Sequence, residues 1–170
     1  MSERISDKGI VVGVDGSEAS RAALRWALEQ ARALGTRLVV VHAWEPAAAG
    51  FAPYAPVAAR PTAAEQRERA AGLLAHTVHE TFGPRVDPAV HAVLVEGPPV
   101  RVLLQQARGA LLLALGRGSH PQRQLPGVGA VGRECLRHAT VPVVTVPAPE
   151  RSEGALGAAG KSVGIRSGAL

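Results

Sequence analysis

Five short apolar segments alternate with four amphipathic segments over most of this chain of 170 residues. The apolar segments have few polar residues at alternate positions, which is typical of strands buried on both faces of a parallel sheet. The segments between them repeat apolar residues at helical spacing. Because parallel strands need crossover helices of one hand, this order predicts an α/β domain with an open parallel five-stranded sheet and helices on both faces.

Local start and stop signals give the expected bounds of these elements. Ser17 should cap the first helix and Gly35 should end it, while Thr62 and Glu65 form a capping box for the second helix. Pro142 suits an edge strand or a strand start. We expect strands at 9–15, 37–43, 86–95, 111–115 and 141–146, and helices at 17–34, 62–82, 98–107 and 129–138. The second helix should turn these residues inward: Ala70, Leu73, Leu74, Thr77 and Val78.

Composition argues against several other classes of protein. Cys135 is the only cysteine, so we expect a buried apolar residue rather than a disulfide or a cysteine-bound zinc. The net charge is +5, but the cations are scattered singly, which does not indicate a nucleic-acid surface. His76 and His79 are expected in solvent, so no metal site is predicted. No run approaches the roughly 18 apolar residues of a membrane span, and the N-terminus resembles no secretory signal, so we expect a cytoplasmic protein.

Two strand-to-helix junctions form the candidate functional site. The segment Ile10–Ser17 ends a buried strand in Asp15 and Gly16 and begins a long helix at Ser17. The segment Leu111–Gly116 ends a second buried strand and is followed by a loop rich in Gly, Ser, His and Arg. Ligands of open parallel sheets bind outside the carboxyl ends of the strands. If the two junctions are neighbours, a carboxylate and a phosphate-friendly loop face one crevice, as in a nucleotide site.

The sequence resembles the universal stress protein family. Three segments carry the resemblance: Ile10–Ser17, Val95–Val100, and Gly127–Val131 with the following Leu136–Ala139 and Val141–Val146. The resemblance covers residues 9–147, so we expect an N-terminal extension at 1–8 and a disordered tail at 148–170. It implies an adenine nucleotide alpha hydrolase-like fold with strand order 3-2-1-4-5. It also implies a homodimer through the last strand, at Val141, Val143, Val144 and Val146, with other protein partners unspecified.

In the nucleotide-binding branch of that family, the resemblance implies ATP, with or without Mg²⁺, between strands 1 and 4. Asp15 would then lie at the adenosine end, and Val41, His42 and Ala43 at the end of the second strand would wall the adenine pocket. The phosphate loop of this branch has the form Gly, two residues, Gly, nine residues, Gly, then Ser or Thr. Glycines let backbone N–H groups approach phosphate, and the following helix N-terminus favours negative charge. The implied loop residues are Gly116, Arg117, Ser119, Gly129, Ala130 and Val131.

The loop of this chain departs from the family pattern. Counted from Gly116, Ser119 takes the second glycine position, and an alternative alignment puts Gly118 there instead. Ala130 takes the Ser/Thr position, and Gly132 stands where a further hydroxyl residue often follows. A hydrogen bond to a charged group contributes about 1.5–3 kcal/mol, so one lost hydroxyl could weaken binding roughly tenfold to a hundredfold. Backbone donors and four nearby cations could compensate: Arg117, His120, Arg123 and Arg133.

Three functions are therefore open at this point. The first is a small regulatory module of the stress response that binds an adenine nucleotide. The second is a dimeric interaction protein that has lost the nucleotide, which Ala130 and Gly132 would favour. The third, a nucleotide hydrolase, is disfavoured, because the sequence has neither a Gly-x-x-x-x-Gly-Lys-Ser/Thr loop nor a carboxylate cluster around Asp15. His42 as a general base would need an orienting carboxylate, and none is indicated. We predict a protein that is not an enzyme.

Overall fold

The computed structural model describes residues 9–47, 61–118 and 127–149. The strands are β1 (Ile10–Gly13), β2 (Leu38–Trp44), β3 (Val90–Glu96), β4 (Leu112–Arg117) and β5 (Val143–Pro147). The helices are α1 (Glu18–Ala33), α2 (Ala63–Phe82), α3 (Pro99–Gln106) and α4 (Ala130–His138). Within the described ranges, none of these helices combines the length and the apolar character that crossing a bilayer requires.

All strand pairs are parallel, and the sheet order β3-β2-β1-β4-β5 confirms the expected 3-2-1-4-5 topology. The chain builds the sheet outward from β1 in one direction through β2 and β3, then in the other through β4 and β5. The order therefore reverses between β1 and β4, where Val12 pairs with Ala114. Such a reversal leaves an opening above the carboxyl ends of the two strands, because their crossover helices lie on opposite faces.

Each face of the sheet has its own apolar core, as an alternating strand requires. Ile10 and Val12 of β1 pack with residues of α1 and α2, such as Leu24 and Leu74. Val11, between them, packs on the other face with residues of α3 and α4. Strands with side chains buried on both faces explain why the runs of β1, β2 and β4 are almost continuously apolar.

Cys135 belongs to the core on the α3 and α4 face and is fully buried, as expected. This burial raises the pKa of its thiol, and the charge of neighbouring Glu134 adds to the effect. A buried thiol that keeps its proton is a poor nucleophile.

The helix starts agree with the sequence signals. The Ser17 hydroxyl accepts a hydrogen bond from the Ser20 N–H at 3.1 Å and caps α1. The capping box of α2 is present, since the Thr62 hydroxyl accepts from the Glu65 N–H while the Glu65 carboxylate accepts from the Thr62 N–H. Pro142 directly precedes β5, an edge strand, and its carbonyl accepts the first bond from Leu113.

Two expectations about local structure were wrong. The third strand begins at Val90 rather than at residue 86, because Pro88 has no N–H and the Asp87 carboxylate accepts the Ala89 N–H in a turn. Leu73 is 36% exposed rather than inward. The buried residues of α2 are Leu74, Thr77 and Val78, all in the second half of the helix, so its first half lies outside the core.

Candidate functional site

A crevice of about 1390 Å³ opens above the carboxyl ends of β1 and β4. Its walls are the β1–α1 junction, the end of β2, the end of β4, the N-terminus of α4 and the residues after β5. The structure brings together here seven of the eight site residues expected from the sequence: Asp15, Val41, Gly116, Arg117, Gly129, Ala130 and Val131. Ser119, the eighth, lies outside the described residues.

Asp15 lies two residues after Gly13, the last residue of β1, and its side chain is held locally. Its Oδ1 accepts a hydrogen bond from the Ser17 N–H at 2.9 Å. Partial burial by itself would raise the pKa of this carboxyl, but hydrogen bonds from Ser17 and Ser20 outweigh it and hold the pKa below its ordinary value. Asp15 therefore carries a negative charge at neutral pH, and a carboxylate with about four acceptor positions keeps capacity for a ligand's donors.

Gly116 allows β4 and α1 to pack closely together beneath the crevice. A Cβ added at Gly116 would lie 2.4 Å from the Ala19 carbonyl carbon and 2.6 Å from the Ser20 nitrogen, both backbone atoms. Only glycine fits this contact, which brings the N-terminus of α1 directly onto the end of β4. The glycine expected to serve a phosphate loop thus has a packing role that the sequence alone did not reveal.

The N-terminus of α4 has no side-chain cap. Gly129 is its N-cap residue and has no side chain that could accept a bond, and among the described residues no side chain caps the first turn. Intrahelical bonding begins with the Arg133 N–H, which donates to the Gly129 carbonyl. The N–H groups of Ala130, Val131 and Gly132 precede that bond, so the helix gives them no partner of its own. All three residues line the crevice.

Gly132 has a steric explanation at the position where the family often has a hydroxyl residue. An added Cβ would lie 2.6 Å from the Val128 Cγ1 atom, and Gly132 is buried. A serine here would meet the same contact, so Val128 and Gly132 form a matched pair. A residue with a Cβ at this position would therefore require Val128 to shift.

Of the four cations expected to compensate for Ala130, the structure describes two. Arg117 lines the crevice, and its Nε atom is buried without a hydrogen-bond partner among the described residues. Arg133 is exposed, is not among the residues that line the crevice, and places Nη1 3.4 Å from the Val128 carbonyl oxygen. Its proximity to a phosphate stays a prediction. His120 and Arg123 lie outside the described residues.

His42 lines the crevice, where the resemblance placed it, but the sequence did not reveal the hydrogen bond that it makes. Its Nδ1 lies 2.8 Å from the Val14 carbonyl oxygen. A histidine just past the middle of a buried strand could have indicated such a bond, but its partner depends on strand pairing. His76 and His79 are exposed, as expected. In the parts of the chain that the structure describes, no three His, Cys, Asp or Glu residues are grouped so that they could hold a metal ion.

Comparison with known proteins agrees with this fold. The model of the universal stress protein family matches residues 8–147, and the chain belongs to that family. A universal stress protein of Mycobacterium tuberculosis is 33% identical over 95% of this chain and 57% of its own length. The chain spans about half the length of the curated relatives it matches.

Solved structures share the whole described domain. A universal stress protein family member from Burkholderia pseudomallei is 30% identical, with a TM-score of 0.56 over 84% of this chain and 98% of its own. The universal stress protein of Archaeoglobus fulgidus in complex with dAMP is 23% identical, with a TM-score of 0.57 over 81% and 96%. The fold is therefore the adenine nucleotide alpha hydrolase-like fold that the resemblance implied.

Proposed function

We propose that this universal stress protein binds an adenine nucleotide in the crevice between β1 and β4 and acts as a small regulatory module of the stress response. One observation carries the proposal: an ionised carboxylate and an uncapped helix N-terminus face the same crevice. Asp15 can accept bonds from the hydroxyl and amino groups of a nucleoside. The free N–H groups of α4 favour the phosphates, because a helix N-terminus carries partial positive charge.

The ligand we propose is ATP, with or without Mg²⁺. The crevice is larger than the roughly 300–1,000 Å³ of common small-molecule sites, so a triphosphate has room in it. Arg117, whose Nε lacks a partner among the described residues, supplies a cation on the β4 side. The Archaeoglobus protein, which shares the fold, was solved in complex with dAMP, and this supports an adenine nucleotide as the class of ligand.

Isothermal titration of nucleotide-stripped protein with magnesium ATP tests the proposal. We expect micromolar binding for the native chain and a loss of tenfold or more for Asp15→Ala, because a bond to a charged group contributes about 1.5–3 kcal/mol. Glu80→Ala, which removes an exposed carboxylate on α2 away from the crevice lining, is the matched control and should bind like the native protein. Absence of heat up to millimolar ATP, from protein shown to be folded, would contradict the proposal. Steady-state turnover of magnesium ATP should remain near the buffer blank.

A second candidate is an interaction protein that works without nucleotide. Ala130 favours it, since the first residue of α4 offers no hydroxyl to a phosphate. This candidate and the nucleotide module share one further proposal, a homodimer through the open edge of β5. The half-buried apolar side chains of that edge are Val141, Val143, Val144 and Val146.

Val144→Lys tests the dimer. A lysine charge between two apolar edges should convert the dimer to monomers, as measured by size-exclusion chromatography with light scattering. Val86→Lys is the matched control, since Val86 precedes the opposite edge strand, β3, and is 44% exposed. It should leave the mass unchanged. A native chain that is already monomeric, or a Val144→Lys variant that stays dimeric, would contradict the interface.

A further inference from the structure

The peptide group that joins Val14 to Asp15 is held from both sides. Its carbonyl oxygen lies 2.8 Å from the His42 Nδ1 atom on β2. Its N–H, which belongs to Asp15, donates to the Ser20 hydroxyl on α1 at 3.4 Å. A carbonyl can only accept, so the His42 Nδ1 atom carries the proton and donates it. Two neighbouring elements thus fix the plane of one peptide at the floor of the crevice.

This peptide lies where the strand can no longer fix the backbone. The β1–β2 pairing ends at Gly13 and Val41, and only the Val14 N–H continues it, by donating to the Val41 carbonyl. Gly16, directly after Asp15, has φ +82°, a conformation that lets the chain turn sharply. Rotation of the Val14–Asp15 peptide would redirect the Asp15 side chain away from its bond to the Ser17 N–H. The hydrogen bond from His42 opposes this rotation.

We infer that His42 is a positioning residue, which orients the Asp15 carboxylate towards the crevice by fixing the preceding peptide group. The effect on a ligand rests on the proposed function, whereas the effect on the carboxylate itself does not. Ser20 alone is the weaker restraint, because its bond to the Asp15 N–H is longer and its hydroxyl also donates to the Ser17 carbonyl at 2.9 Å. Both contacts come from outside β1, so the carboxylate direction depends on how β2 and α1 pack.

Two variants distinguish the effect of the His42 hydrogen bond from the effect of the rest of the imidazole ring. His42→Asn keeps a donor, since the Asn Nδ2 atom is the same number of bonds from the backbone as the His Nδ1 atom. His42→Leu has a similar branched shape and no donor. We expect magnesium ATP affinity within twofold of native for His42→Asn and roughly fivefold or more weaker for His42→Leu, the size of one hydrogen bond. In an Asp15→Ala background His42→Leu should cause no further loss, because the two residues act as a unit. Additive losses would overturn the inference.

A measurement without ligand tests the carboxylate directly. The Asp15 carboxyl carbon is followed by NMR through an acid titration of the native chain and both variants, each shown to be folded by circular dichroism. Neither variant has an imidazolium charge, so their difference reports the hydrogen bond alone. The Asp15 pKa should rise towards its ordinary value in His42→Leu and stay closer to native in His42→Asn. Equal values in the two variants would overturn the positioning role. A native chain that binds no nucleotide would instead overturn the proposed function and leave this titration to decide the role of His42.

Discussion

The crevice is bordered by two helix N-termini that differ in how their first N–H groups are used. At α1, the Ser17 hydroxyl accepts from the Ser20 N–H, and the Asp15 carboxylate accepts from the Ser17 N–H. At α4, Gly129 offers no side-chain acceptor and Ala130 follows it without a hydroxyl. At α1, side chains of the same junction accept from the Ser17 and Ser20 N–H groups, whereas α4 has no such acceptor and leaves its first donors for another molecule.

This difference predicts how a ligand would be oriented in the crevice. Negative charge is already present at α1 in the form of Asp15, so a phosphate placed there would be repelled. The α4 end has no acidic residue in its first turn, and Arg117 lines the same crevice. A nucleotide in this crevice should therefore place its sugar and base towards Asp15 and its phosphates towards Gly129.

The largest effect is expected at Gly116, where the end of β4 contacts the N-terminus of α1. Gly116→Ala should lower the free energy of unfolding by about 3 kcal/mol, because a Cβ would overlap the backbone of α1. Gly72→Ala is the control, since nothing lies within 4 Å of that position in α2, and it should stabilise by about 0.5–1 kcal/mol. Urea unfolding measures both. If Gly116→Ala were neutral, the close contact between β4 and α1 would not hold the site together.

Capping α4 should make its N-terminus behave like the N-terminus of α1. Gly129→Asp places a carboxylate at the N-cap of α4, where it would accept the free N–H groups and repel phosphate. We expect magnesium ATP affinity to fall about tenfold or more, while stability rises by only a few tenths of a kcal/mol. Gly129→Ala adds a methyl without an acceptor at φ −63° and should bind far better than the aspartate variant. Equal affinity of the two variants would show that the free donors of α4 do not serve the ligand.

The smallest effect concerns the pH dependence of the Asp15 end. The folded-state pKa of Asp15 lies below its ordinary value of about 3.9, so the unfolded chain binds more protons near that pH. Its stabilising contribution is therefore present above the ordinary pKa and lost as the pH falls through the folded-state pKa. Between pH 6 and pH 3 the native urea midpoint should fall slightly more than that of Asp15→Asn. Other carboxyls titrate equally in both proteins, so an identical fall would mean that the Ser17 and Ser20 bonds do not favour the charged form.

The sequence predicted the elements and their order well because the signals involved are local. Apolar runs, the Ser17 cap and the capping box at Thr62 and Glu65 each depend on residues a few positions apart. The predicted start of the third strand was wrong, because the apolar pattern did not account for Pro88 and the turn at Asp87. The expectation that Leu73 lies inward was wrong, because helical periodicity shows which residues share a face of α2 but not how much of that face the sheet covers.

The site was predicted only as a set of residues. Family resemblance and the ends of apolar runs were enough to name Asp15, Gly116 and Gly129, which the structure brings to one crevice. The bond from His42 to the Val14 carbonyl could not be predicted, because it depends on how β1 and β2 are aligned across 28 residues of sequence. The contact of Val128 with Gly132 likewise depends on how the chain enters α4.

By itself, the sequence determined an α/β chain with five strands, capped helices and a carboxylate just after the first strand. Those features follow from side-chain polarity and short-range backbone bonding, which act within one element. Tertiary structure alone decided that Gly116 touches the backbone of α1, that His42 fixes the peptide before Asp15, and that the donors of α4 face the same crevice. These contacts join residues far apart in the chain, and only the packing of β2, β4 and the helices around β1 brings them together.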